Sequence, residues 1–262
     1  MPFNNCALCN SKDPLVRGHF LPTRIHNKMS SPPDRAHELT ILTGQSQIAL
    51  SKDLNRFLLC SNCEDDFNHN GVVYFEENAL SVNKVCYPGD WEPPFLMKEL
   101  AKRLGHVRNM TLTSDILDKH QRKKLLHFAT SIFWRSTFEW PGIVPSEIPE
   151  ELRSDLHKFL LEPDHVPNFK IIITLFPFPN RYSSFPSALR SSGNIIEYFF
   201  CLDSYSFTLI SAQDMKSMYY GNEFSEALLF SRDDVRMYRY RQVIELNHIK
   251  KDKENIISMF HQ

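Results

Sequence analysis

Hydrophobic and polar positions follow different rhythms in different parts of the chain. From residue 1 to 90 no period persists. Pro14, Pro22, Pro32 and Pro33 interrupt short apolar runs, and the stretch reads as short strands and loops with a turn at Ser30-Ser31-Pro32-Pro33. A short helix is expected from about Glu64, after the apolar pair Leu58-Leu59, with Asn70-Gly71 ending it or turning the chain. Pro88-Gly89-Asp90 and Pro93-Pro94 mark a junction. From Phe95 to Gly105 the residues Leu96, Leu100 and Leu104 recur at helical spacing. Thr113 or Ser114 is a candidate cap for a second helix, with Asp115 in its first turn. Leu117, Leu125, Phe128, Ala129, Ile132 and Phe133 form its apolar stripe up to about Trp140, where Pro141-Gly142 stops it. Pro145 to Leu161 predicts a third helix with Leu152, Leu156, Phe159 and Leu160 on one face.

After Pro163 the rhythm changes. Phe169 to Phe176, Ile195 to Leu202 and Tyr205 to Ile210 are rich in β-branched and aromatic residues and read as strands, the last two separated at Asp203-Ser204. Tyr182 to Ser192, with Arg181 and Arg190, is the most loop-like part and a candidate contact for a regulator. Arg239 to Phe260 is polar and is expected to end in a helix. The order predicts an α+β fold in three parts: a module over 1–90, a helical segment over 91–163 and a strand-rich C-terminal region over 164–262.

Composition narrows the class. Hydrophobic residues make up 42% of 262, enough for a sizeable core. The net charge of −1 means that any affinity for nucleic acid must come from local patches. Six cysteines in a chain of this length do not form a secreted disulfide framework. No signal-peptide pattern opens the chain and no apolar run is long enough to span a membrane, so a cytoplasmic, reducing location is expected. There, paired cysteines point to metal.

The pairs are Cys6-Ala-Leu-Cys9 and Cys60-Ser-Asn-Cys63, and together they can close one tetrahedral zinc site. Zinc ribbons place about 15–20 residues between their pairs. Here 50 residues separate Cys9 from Cys60, so something is inserted between the knuckles. Four thiolates leave no open coordination position, which makes the zinc structural. Cys86 and Cys201 lack partners at ligand spacing and read as ordinary thiols.

Between the knuckles lies Gly18-His19-Phe20-Leu21-Pro22. A neutral His19 can take a proton from water near pH 7. Glu64 and Asn68 are four apart, on one face of a helix, and both offer oxygen ligands to a hard cation such as magnesium. Asp65 and His69 form a second such pair. In this chemistry His19 activates a water while Glu64 and Asn68 hold magnesium on a scissile phosphate. The bland reading remains open: a structural histidine, and acidic residues placed at a helix start for dipole reasons alone.

These residues resemble a family. C-x-x-C, a histidine before two hydrophobic residues and proline, then L-C-x-x-C-E, is similar to HNH endonucleases of the ββα-metal type. The resemblance is to a subgroup of small bacterial proteins often encoded in antiphage defence loci. The segments are Gly18-His19-Phe20-Leu21-Pro22 and Leu59-Cys60-Ser61-Asn62-Cys63-Glu64-Asp65-Asp66-Phe67. A looser likeness is Ser131-Ile132-Phe133-Trp134-Arg135, similar to a Ser-x-x-Trp-Arg pattern that follows in some members. The resemblance implies a zinc-stapled ββα-metal module, His19 as general base, and DNA cleavage that depends on magnesium or manganese. Gly18 stands where the family often has a metal-binding Asp, and Glu64 where it usually has Asn.

Charge adds two candidate phosphate surfaces. Arg17, Arg24, Lys28 and Arg35 flank the His19 motif. Lys98, Lys102, Arg103, Arg108, Lys119, Arg122, Lys123 and Lys124 form a second cluster, which also reads as a solvated helix face. Two functions therefore compete: a DNA endonuclease acting in antiphage defence, and a non-catalytic zinc-binding adaptor on a degenerate scaffold. The adaptor would use its aromatic helices and C-terminal strands to engage a protein such as an ATPase or sensor.

Overall fold

The computed structural model describes residues 5–30, 40–42, 47–49, 54–80, 94–104, 111–162, 164–175, 182–190, 195–203, 205–218 and 226–232. The chain runs β1 (Leu15–His19), α1 (Thr23–Ser30), β2 (Thr40–Leu42), β3 (Gln47–Ala49), β4 (Asn55–Cys60) and α2 (Ser61–Phe67). A π-helical turn (Asn68–Val72) leads into α3 (Val73–Ala79), then α4 (Phe95–Leu104), β5 (Thr111–Thr113), α5 (Lys119–Arg135) and α6 (Glu150–Leu161). The last part holds β6 (Phe169–Leu175), β7 (Tyr182–Ser184), β8 (Ser187–Arg190), β9 (Ile196–Leu202), β10 (Tyr205–Ser211), α7 (Ala212–Met218) and β11 (Leu228–Arg232). The fold is mixed α+β, with an N-terminal cysteine cluster, a helical middle and a strand-rich C-terminal sheet.

Two sheets divide the strands. β1 and β4 pair antiparallel by themselves, with Leu15 opposite Cys60 and His19 opposite Asn55, and a register shift between Val16 and Arg17. The other nine strands form one sheet in the order β3-β2-β7-β9-β10-β6-β11-β5, with β8 also on β9. Its centre is β9-β10-β6, antiparallel throughout, and almost every residue of these three strands is buried. Both faces are therefore covered, and even the polar positions that alternate along β10, Ser206 and Thr208, are buried. Asp203, at φ 51°, makes the tight turn between β9 and β10.

Helices α3 and α5 lie on one face of this sheet. Phe207 and Phe200, directly opposite on β10 and β9, stack at 4.5 Å. Phe128 and Phe133 of α5 and Phe75 of α3 close over them. The Tyr205 hydroxyl donates to the Ala79 carbonyl at 3.0 Å, tying the end of α3 to the sheet.

Five expectations change. Asn70-Gly71 does not end the helix: the π turn carries the chain onward into α3. A Cβ on Gly71 would meet the Phe128 backbone at 2.7 Å, so the glycine serves close contact with α5 rather than a turn. The second helix is capped by Asp118, not Thr113 or Ser114, since Thr113 pairs with Phe230 in the sheet. Asp118 accepts from the Gln121 amide and the Gln121 side chain accepts from the Asp118 amide, a reciprocal capping box. That helix ends at Arg135, where the Ser136 and Thr137 hydroxyls take carbonyls of its last turn. The third helix starts at Glu150, because Pro149 disfavours a helical conformation for the residue before it. Finally, Tyr182–Arg190 is not a loop: β7 and β8 pair with β9, and Phe185 between them is buried against Phe20 at 4.6 Å. Ser31 to Pro33, Pro88 to Pro93 and Arg239 to Phe260 lie outside the described residues. No described helix is long and apolar enough to cross a membrane.

Candidate metal centre and the histidine beside it

The first knuckle is a tight backbone loop. The Cys6 amide donates to Ser11 O at 2.9 Å, the Asn10 amide donates back to Cys6 O, and Asn10 takes φ 59°. The Ala7 amide donates to Leu58 O at 3.0 Å, which fastens this loop to β4. β4 then delivers Cys60, and the first turn of α2 delivers Cys63. His157 on α6 braces the outer side, with Nε2 at 2.8 Å from Leu8 O.

The four sulfurs lie within 4.8 Å of one another, and Cys9 Sγ is 3.7 Å from Cys60 Sγ. That is far beyond a disulfide bond. It suits a tetrahedral ion with metal–sulfur bonds of about 2.3 Å, whose ligand sulfurs stand about 3.8 Å apart. The cluster can thus chelate a metal ion. Burial pushes the Cys6 and Cys63 thiols up, whereas exposed Cys9 is lowered to about 6, chiefly by hydrogen bonding to Ser11. An ion bound here would offset the burial cost of the inner thiolates. Cys201 is buried in the sheet, its thiol pushed up to about 12, and behaves as an inert core residue. Cys86 lies outside the described residues.

His19 ends β1 and is half-buried, with Nδ1 3.0 Å from the Thr23 hydroxyl at the start of α1. Glu64 is half-buried on α2, Asn68 opens the π turn, and His69 Nδ1 lies 2.8 Å from Asp65 O. Gly18 is buried against Glu64: a Cβ there would stand 3.0 Å from Glu64 Oε2. The Glu64 carboxylate therefore fills the space beside the residue that precedes His19.

The residue joining these pieces is Arg135, the last of α5. Its guanidinium donates to both Glu64 oxygens at 3.0 Å and to the His19 carbonyl, and it lies over the Phe67 ring at 5.0 Å. Only 1% of Arg135 is exposed. Its own carbonyl accepts from the Trp140 indole at 2.8 Å. In the sequence Arg135 stands out only as the last residue of the Ser131-to-Arg135 pattern, with no task of its own. The available signal was a cation at the end of the mostly apolar second half of α5, which burial obliges to find an anion.

Among the basic residues around His19, Arg17 is exposed on β1. Arg24 pairs with Glu76 at 2.6 Å and Lys28 donates to the Glu76 carbonyl, so both tie α1 to α3. Arg35 lies outside the described residues. No family model, curated protein or solved structure matches the chain.

Proposed function

We propose that the chain is a metal-dependent endonuclease of the HNH type, hydrolysing DNA phosphodiesters as an effector of antiphage defence in the cytoplasm. Zinc on Cys6, Cys9, Cys60 and Cys63 is structural in this reading, and His19 is the general base. One observation carries it: strand β1 ending in His19 pairs with β4, which runs directly into helix α2 bearing Glu64, and a four-cysteine cluster joins these elements. A His19 Nδ1–H that donates to the Thr23 hydroxyl leaves Nε2 with its lone pair, the form that accepts a proton from water. Arg135 holds the His19 backbone and the Glu64 carboxylate in fixed relation.

Glu64 and Asn68 are the proposed holders of magnesium or manganese. The donor set is one carboxylate and one amide, about the minimum for an ion that also takes substrate phosphate oxygens. Each Glu64 oxygen engaged by Arg135 keeps a second lone-pair direction. When bound, the ion would supply charge stabilisation to the phosphate. Arg17 is the exposed candidate for steering DNA.

A second reading is favoured by the same ion pair. Arg135 already neutralises Glu64, which lowers its attraction for a cation and suits a non-catalytic adaptor that acts through a partner protein such as an ATPase or sensor. Nicking of supercoiled plasmid with magnesium or manganese separates the two. The endonuclease nicks and loses that activity in His19→Ala with zinc content unchanged. An adaptor leaves the plasmid intact and co-purifies with a stoichiometric partner.

A further inference from the structure

We propose that a small cavity between the π turn and the N-terminal half of α5 is a phosphate-binding site, separate from the cysteine cluster and from His19. The cavity, of about 210 Å³, is lined by Asn70, His120, Lys123, Lys124, His127, Phe159 and Leu160. His120, Lys123, Lys124 and His127 are spaced as one stripe of α5. Phe159 and Leu160 of α6 form an apolar floor.

Three observations point to an anion. No carboxylate lines the cavity, and neither Lys123 nor Lys124 pairs with one among the described residues. Two neighbouring cavities differ in this respect. One beside α6 contains Glu151, Asp155 and Asp214, and one beside β11, which shares Lys123 with this cavity, is lined by Asp164 and Glu226. Next, His127, which lines the cavity, is buried and its Nδ1 has no hydrogen-bond partner. Finally, Asn70 enters from the π turn, a local widening of the helix of the kind often found at functional sites. The positive end of the α5 dipole adds to the field of the lysines.

The volume limits the ligand. Drug-sized molecules occupy roughly 300–1,000 Å³, so this cavity admits a phosphate group with little beyond its first ester substituent. The phosphate is either free or the terminal group of a nucleotide whose remainder projects into solvent. Lys123 and Lys124 supply charge-assisted hydrogen bonds, and the Asn70 amide supplies a neutral donor. The site does not depend on the endonuclease reading.

Calorimetric titration of the full chain with inorganic phosphate, and in parallel with adenosine monophosphate, tests it. The double variant Lys123→Gln, Lys124→Gln is the control. Both side chains reach solvent, and thermal melting checks that the variant is folded. Saturable one-to-one binding of either probe, weakened about tenfold or more in the variant, is expected from the loss of charge-assisted bonds. Equal affinity for the two probes identifies free phosphate as the ligand, and tighter binding of the nucleotide identifies an ester. Absence of saturable binding by the wild type, or equal binding by the folded variant, overturns the proposal.

Discussion

The two sheets are built on opposite principles. In the large sheet β6, β9 and β10 are buried on both faces, and paired aromatic rings such as Phe200 and Phe207 pack around only two buried charged side chains in these strands, Lys170 and Glu197. The small sheet has two strands, β1 and β4, whose outer positions Arg17 and Phe57 face solvent. An isolated two-stranded sheet is marginal in water. Here it is held by the cysteine cluster at one end and by the Arg135–Glu64 pair at the other. The large sheet is held mainly by apolar packing. The small one depends on polar bonds and so brings a histidine, a carboxylate and four thiols together.

Removing metal breaks this contrast most sharply. Structural zinc contributes about 10–16 kcal/mol of apparent binding free energy to small zinc modules. Strong chelation, or Cys63→Ala, is expected to unfold β1, β4 and α2 while the centre of the large sheet persists. Hydrogen exchange resolved along the chain reads this out as lost protection of β1, β4 and α2 with β6, β9 and β10 still protected. Protection of β1 and β4 that is unchanged without metal would show that the cluster is not what holds them.

Next in size is Arg135→Ala, which strands the Glu64 carboxylate and frees the His19 carbonyl. Breaking a buried pair costs about 3–5 kcal/mol, and Glu64 is partly solvated, so the lower part of that range is expected in denaturant unfolding. A loss under about 1 kcal/mol would demote the pair to an ordinary surface contact.

Acid probes the junction between the two regions. His127, packed against Phe67 and Phe159, is lowered to about 4, mainly because burial disfavours its charged form. Unfolded, it protonates near 6.5. Between those values the unfolded chain binds more protons, so stability rises with pH across that window. Full protonation costs about 3 kcal/mol. His127→Gln should flatten the stability profile between pH 4 and 6.5, and an unchanged slope would exclude His127 as its source.

Gly71→Ala is a smaller perturbation of the same junction. The added methyl meets the Phe128 backbone at 2.7 Å, and overpacking of this kind costs about 1–3 kcal/mol. A neutral result in thermal melting would mean that α3 and α5 separate easily.

What was legible in the sequence follows this division. Dense β-branched and aromatic residues announced β6, β9 and β10, and leucines at helical spacing announced α4, because these elements satisfy themselves through their own pattern. The cysteine pairs were legible because metal geometry fixes their spacing. β2, β3 and β5 were not: each is three residues long, too short for any period, and each exists only through a partner. Gly71 misled because glycine marks both turns and close helix contacts, and only the packing of Phe128 distinguishes them. The link from Arg135 to Glu64 spans 71 residues and left no local trace beyond a cation in apolar company.

In the proposed endonuclease the small sheet presents His19 as the general base. The most direct test compares nicking of supercoiled plasmid by wild type and His19→Ala, matched for zinc content, with magnesium or manganese present. His19 is half-buried on a strand end, so the substitution should shift stability by little more than about 0.5 kcal/mol. The account predicts nicking by the wild type and none by the variant. Equal nicking by both would contradict it.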